Sequence, residues 1–74
     1  MIEPTEWIWS EPEDEGWYAV LYSWDPDEGI FPGAVQRLNG KWVWDSNAAI
    51  GGCAGPFINE EAAKKWADLH DIDG

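Results

Sequence analysis

Positive charge is the scarcest commodity in this 74-residue chain: four lysines and arginines stand against fifteen aspartates and glutamates, for a formal net charge of −11. That balance argues against direct binding to nucleic acid or to an anionic membrane, both of which recruit basic surfaces. Cysteine is nearly missing too. Cys53 is alone, so no intramolecular disulfide forms, and the chain does not read as a stapled secreted scaffold. The first residues lack a basic region followed by an apolar run of signal length, and no stretch reaches the ~20 apolar residues of a transmembrane helix. The expectation is a soluble, cytoplasmic protein with no membrane partner. Histidine is limited to His70, which leaves a thin catalytic inventory.

What the chain has in abundance is carboxylate and tryptophan. Duplex DNA carries one charge per roughly 1.7 Å of axis, so eleven charges correspond to about 19 Å of duplex. A compact chain of this size has a radius of gyration of about 11 Å. Negative charge gathered on one side therefore approaches the charge density of a short DNA segment. Seven tryptophans, two tyrosines and two phenylalanines supply the large burial that a small single domain needs. Self-repulsion opposes that burial, so stability is expected to rise with salt.

The chain divides into an aromatic segment with an acidic loop (1–16), antiparallel hairpins (17–45), a Gly/Ala-rich loop (46–58) and a helix (59–71), all within one domain, 1–74. In segment 7–9, Trp7 and Trp9 share one face of a brief edge strand. Residues 17–24 form the clearest strand, rich in aromatic and β-branched side chains, with Tyr18, Val20, Tyr22 and Trp24 on one face. The next runs from Ile30 to Leu38, with a bulge or bend expected at Pro32-Gly33. Asn39-Gly40 is the favoured two-residue hairpin turn and sets the register: Leu38 opposite Lys41, Arg37 opposite Trp42, Gln36 opposite Val43, Val35 opposite Trp44. Arg37 then lies over Trp42. Asn59 caps a helix whose first turn holds Glu60 and Glu61, and Ile58 is placed to staple against Ala63. Ala62, Ala63, Trp66, Leu69 and His70 make its apolar stripe. The fold class is α+β: a three- to four-stranded antiparallel meander, with segment 7–9 as the optional fourth strand, and one C-terminal helix packed on one face.

Candidate chemistry is weak. Nothing around Cys53 is basic enough to activate a thiol, and His70 suits a helix C-terminus with no catalytic role. The run Gly51-Gly52-Cys53-Ala54-Gly55 lacks the Lys and Ser/Thr of a phosphate loop. Counted from Asp25, a calcium-loop template places Ile30 where glycine is needed and Gln36 where glutamate is needed. No catalytic residue, cofactor or metal is assigned, and the expectation is a non-enzymatic protein. Two binding surfaces remain. One is acidic: Glu11, Glu13, Asp14 and Glu15; Asp25, Asp27 and Glu28; and, as second choice, Asp68, Asp71 and Asp73. The first two groups are expected to flank the same end of the strand system or the loops beside it. Extended carboxylates at i and i+2, roughly 6.6 Å apart, stand in for successive phosphates on a basic nucleic-acid-binding protein. The alternative is an open tryptophan face that binds a protein, peptide or carbohydrate.

The segments Gly16-Trp17-Tyr18-Ala19-Val20, Gly29-Ile30-Phe31-Pro32-Gly33-Ala34 and Asn39-Gly40-Lys41-Trp42 resemble the pattern of small Trp-rich phage and prophage proteins. With its small size and strong acidity, the chain resembles the anti-CRISPR proteins, several of which are DNA mimics. That resemblance implies a phage-encoded inhibitor in the host cytoplasm. Its partner would be the basic, PAM-reading surface of a CRISPR effector subunit, with a type I complex as target. The resemblance rests on fold-level analogy, and no motif names the target.

Overall fold

The computed structural model describes residues 4–25 and 27–70. Among these residues four strands, β1 (Gly16–Ser23), β2 (Phe31–Leu38), β3 (Lys41–Val43) and β4 (Ala49–Phe57), precede one helix, α1 (Glu60–Leu69). The sheet is antiparallel in the order β3-β2-β1-β4. The radius of gyration is 11.3 Å.

The Asn39-Gly40 turn behaves as its sequence predicts. Both residues have positive φ, 53° and 74°, as a type I′ turn requires. Leu38, Arg37 and Gln36 pair with Lys41, Trp42 and Val43. The strand ends there, so the expected pairing of Val35 with Trp44 does not form.

Pro32-Gly33 carries no bulge: β1 and β2 stay in one unbroken register from Gly16–Arg37 to Tyr22–Phe31. The phase of the ladder, set by the Leu38–Lys41 pair at the hairpin turn, is the same across the sheet. Cys53 exchanges both main-chain hydrogen bonds with Ile8, each 2.8 Å, on the outer side of β4. Its pair with Val20 on the inner side is therefore non-hydrogen-bonded, and Val20 directs its main chain to Gly33. By alternation Pro32 and Ala34 turn away from β1, towards an edge that the three-residue β3 leaves uncovered. A proline nitrogen on a free edge costs no ladder bond.

The fourth strand is β4, which corrects the reading of 46–58 as a loop. Its Gly-Gly-Cys-Ala-Gly core pairs with β1, and glycine is needed there because large rings approach closely. A Cβ at Gly52 would stand 3.2 Å from the Trp9 ring, and one at Gly55, where φ is +150°, 2.9 Å from the Tyr18 ring and from the Trp17 carbonyl oxygen. The bulges that the sheet does contain lie between β1 and β4, between the pairs of Trp17 and Ala19 and again between those of Val20 and Tyr22. Segment 7–9 is not a full strand. It adds the single Ile8–Cys53 bridge to the outer edge of β4.

The two faces bury different chemistries. Under α1, Ala19, Ala54, Ala63, Ala67 and Trp66 pack with Trp7, Trp17, Ala34 and Phe57. On the opposite face Tyr18, Val20, Val35 and Cys53 are covered by Tyr22, Trp42, Trp44 and Ile50. The Asn59 side chain caps α1 by accepting from the Ala62 N–H at 2.8 Å. The helix stripe is Ala63, Trp66 and Ala67. Leu69 is 72% exposed, and Ile58, at 83%, does not staple to Ala63. Trp66 stacks on His70 at 4.0 Å, meets Trp7 edge-on at 4.9 Å and donates its Nε1–H to the Pro4 carbonyl. Trp7 returns an indole bond to the His70 carbonyl, so the N-terminal segment is clamped to the end of the helix.

Candidate acidic interface

The described acidic residues are all exposed, but the two main clusters do not share an end of the sheet. Glu11, Glu13, Asp14 and Glu15 lead into β1, whereas Asp25, Asp27 and Glu28 follow it. The eight residues of β1 separate them by about 25 Å at the usual strand rise. This corrects the expectation that they flank one end. Asp68 is a third location, on the outer side of α1, where it pairs with Lys64 at 2.7 Å. Asp71 and Asp73 lie outside the described residues.

The segment 10–15 is fixed by bonds from β1, β4 and the β2–β3 turn. The Cys53 thiol donates to the Ser10 carbonyl at 3.4 Å, and the Tyr18 hydroxyl donates to the Asp14 carbonyl at 2.8 Å. The Asn39 N–H, in the β2–β3 turn, donates to the Glu15 carboxylate at 2.8 Å. Glu11 reaches within 4.0 Å of the Arg37 guanidinium while 81% of its own side chain stays in solvent. Two main-chain carbonyls and the Glu15 carboxylate thus hold the segment, while the side chains of Glu11, Glu13 and Asp14 stay exposed.

Arg37 is the residue that sequence reasoning placed correctly and valued too lightly. It is 4% exposed, lies 4.7 Å over the Trp42 ring, and among the described residues its Nε has no acceptor. Apart from this buried cation, the chain's basic residues are Lys41, Lys64 and Lys65. Burial raises the Tyr18 hydroxyl above its ordinary pKa, and the nearby Asp14 carboxylate adds to the shift while Arg37 opposes it. Burial likewise raises the Cys53 thiol, against a smaller pull from Arg37. A thiol held protonated is a poor nucleophile.

The tryptophans are mostly structural. Trp24 and Trp9, at 55% and 62% exposure, are the exposed ones; Trp42 and Trp44 are half-buried. Trp24 and Trp44 both meet the Tyr22 ring edge-on, at 6.1 and 5.5 Å. Among the described residues no group of three or more His, Cys, Asp or Glu side chains is placed to hold a metal ion, and no helix is long and apolar enough to cross a membrane.

Fold and surface together define a small α+β domain with a pinned acidic segment at one end and an acidic, aromatic turn at the other. Comparison with known protein families, with curated proteins and with solved structures gives no match.

Proposed function

We propose that this chain is a non-enzymatic acidic inhibitor that occupies a basic nucleic-acid-binding surface of another protein. The observation that carries this reading is the immobilised segment 11–15. Its main chain is held at Ser10 and Asp14, and Glu15 is bound to the β2–β3 turn, so the neighbouring carboxylates of Glu11, Glu13 and Asp14 are displayed on a fixed frame. Pre-organised charge loses little side-chain and loop freedom on binding, and a field from eleven excess negative charges speeds encounter with a cationic groove. The second cluster, a strand length away, offers a further contact to a groove long enough to span both ends. Resemblance to the anti-CRISPR proteins makes the DNA-reading surface of a CRISPR effector complex the first partner to test.

The test is capture of partner from host lysate at low and high salt, with duplex DNA as competitor, by the natural chain and by a Glu11→Lys/Glu13→Lys/Asp14→Lys variant. Release by salt and by DNA, with an affinity loss of about 100-fold in the variant, is expected, since like-charge juxtaposition costs several kcal/mol. Capture that ignores salt and survives the triple reversal overturns the proposal.

A further inference from the structure

One groove is not used by the acidic segment. It lies where β3 stops short and the edge of β2 is left bare. Trp17, Trp24 and Trp44 wall it, Ala34 lies in it, and Asp45 and Glu60 stand on it; it encloses about 480 Å³. None of the four basic residues lines it.

Three features of this groove point to the same occupant. The aromatic walls suit a cation, which is attracted to the face of an indole ring. Two carboxylates, one from the segment after β3 and one from the first turn of α1, are exposed beside those walls. The floor is a free strand edge. The Ala34 N–H and C=O face away from β1, and among the described residues they have no main-chain partner beyond it. A free edge of this kind accepts an added strand, whose main chain supplies the missing bonds while alternate side chains enter flanking pockets.

We propose that this groove binds an extended, arginine-bearing peptide segment of a partner protein, with Ala34 pairing its main chain. The guanidinium lies between the Trp24 and Trp44 side chains and pairs with Asp45 and Glu60. Arginine fits better than lysine, because its planar fork stacks on aromatic rings and bonds carboxylates in two places. The inference deepens the reading of the partner as a basic protein and rests on it. It moves part of the recognition from the pinned acidic segment to the opposite side of β2.

The test uses the full chain and a blocked five-residue peptide, Thr-Val-Arg-Val-Thr, beside versions with lysine or with citrulline, the neutral isostere, in place of arginine. Binding is followed by amide chemical shifts and tryptophan fluorescence. Expected are saturable shifts at Ala34, Asp45 and the Trp24 and Trp44 indoles, with the lysine peptide weaker and the citrulline peptide at least about tenfold weaker. Asp45→Asn with Glu60→Gln, both at exposed sites, is expected to reduce arginine binding to the citrulline level. Equal binding of arginine and citrulline, shifts confined to residues 11–15, or no saturation overturns the proposal. Mapping on the natural chain settles the site even where a variant misfolds. Failure here with partner capture still lost in the Glu11/Glu13/Asp14 variant removes the groove and leaves the acidic-inhibitor reading standing. Peptide binding intact with partner capture insensitive to that variant does the reverse.

Discussion

The two ends of β1 carry similar charge but are built differently. Before the strand, residues 10–15 are tied to the sheet by a thiol, a phenol and a turn N–H from residues 4 to 43 positions away. After it, the hydrogen bonds among the described residues of the turn are local: Asp25 accepts from the Asp27 N–H through its side chain and from the Glu28 N–H through its carbonyl. Ser23 donates to the same carbonyl. The first arrangement makes the acidic segment part of the fold, so disturbing its anchors changes stability and charge display together. The second is a local turn whose charges are separable from the fold. Exposure and net charge alone do not distinguish them; the range of the bonds does.

Arg37 is the strongest test of that difference. Its stem is buried and its guanidinium covers Trp42, while its partner Glu11 sits in solvent. Truncation therefore leaves no buried carboxylate behind; the loss is packing and a desolvated cation–π contact. Arg37→Ala is expected to lower unfolding free energy by about 3 kcal/mol, read from the urea midpoint. A loss within about 0.5 kcal/mol would show that the pinned end does not depend on its buried cation.

Tyr18→Phe comes next. It removes the bond to the Asp14 carbonyl and should cost about 1 kcal/mol near neutral pH. The pH dependence carries a second signature. The folded-state pKa of Tyr18 is raised above the ordinary 10.0, so the stability it contributes is complete below pH 10 and is lost as pH climbs through the folded value. Cys53, raised from 9.0, adds a loss that begins about one pH unit earlier. In the Phe variant the fall in stability above pH 10 should flatten, leaving the part due to Cys53. An unchanged alkaline slope contradicts the role given to Tyr18.

Much of this frame was legible in the residues. Asn39-Gly40 defined the β2–β3 register because few backbones other than type I′ join two strands in two residues, and Asn59 marked the start of the helix by its cap chemistry. β4 was not legible. Glycines at 51, 52 and 55 normally argue for a loop; here they make room for Trp9 and Tyr18, which approach from outside the strand's own sequence. Pro32 misled for a related reason. Whether a proline breaks a strand depends on which way its nitrogen faces, and Pro32 shares the side of Leu38, whose pairing with Lys41 the hairpin turn sets, so its nitrogen points away from β1. The acidic clusters were visible, and so was their separation: the strand read at 17–24 lies between them, and the expectation of a shared end overlooked that chain order. The aromatic groove at the β2 edge was missed altogether. Its signal was the shortness of β3, bounded by Asp45-Ser46-Asn47 soon after the hairpin.

The smallest effect separates the two ends most directly. Glu15→Gln keeps the shape of the side chain and removes the charge from the bond to the Asn39 N–H, which ties the acidic segment to the β2–β3 turn. Asp25→Asn makes the same change in the local turn, where the amide oxygen still accepts from Asp27. Hydrogen bonds to charged acceptors are stronger than neutral ones, and both sites are in solvent, so Glu15→Gln should cost about 0.5–1 kcal/mol and Asp25→Asn less than about 0.5 kcal/mol. Amide exchange gives the sharper readout. Loosening the Glu15 bond should speed exchange at Asn39, 24 residues away, whereas the Asp25 substitution should leave exchange outside its own turn unchanged. Equal and purely local effects at both positions would mean that the acidic segment is no better anchored than the turn, and the pre-organised charge display would lose its basis.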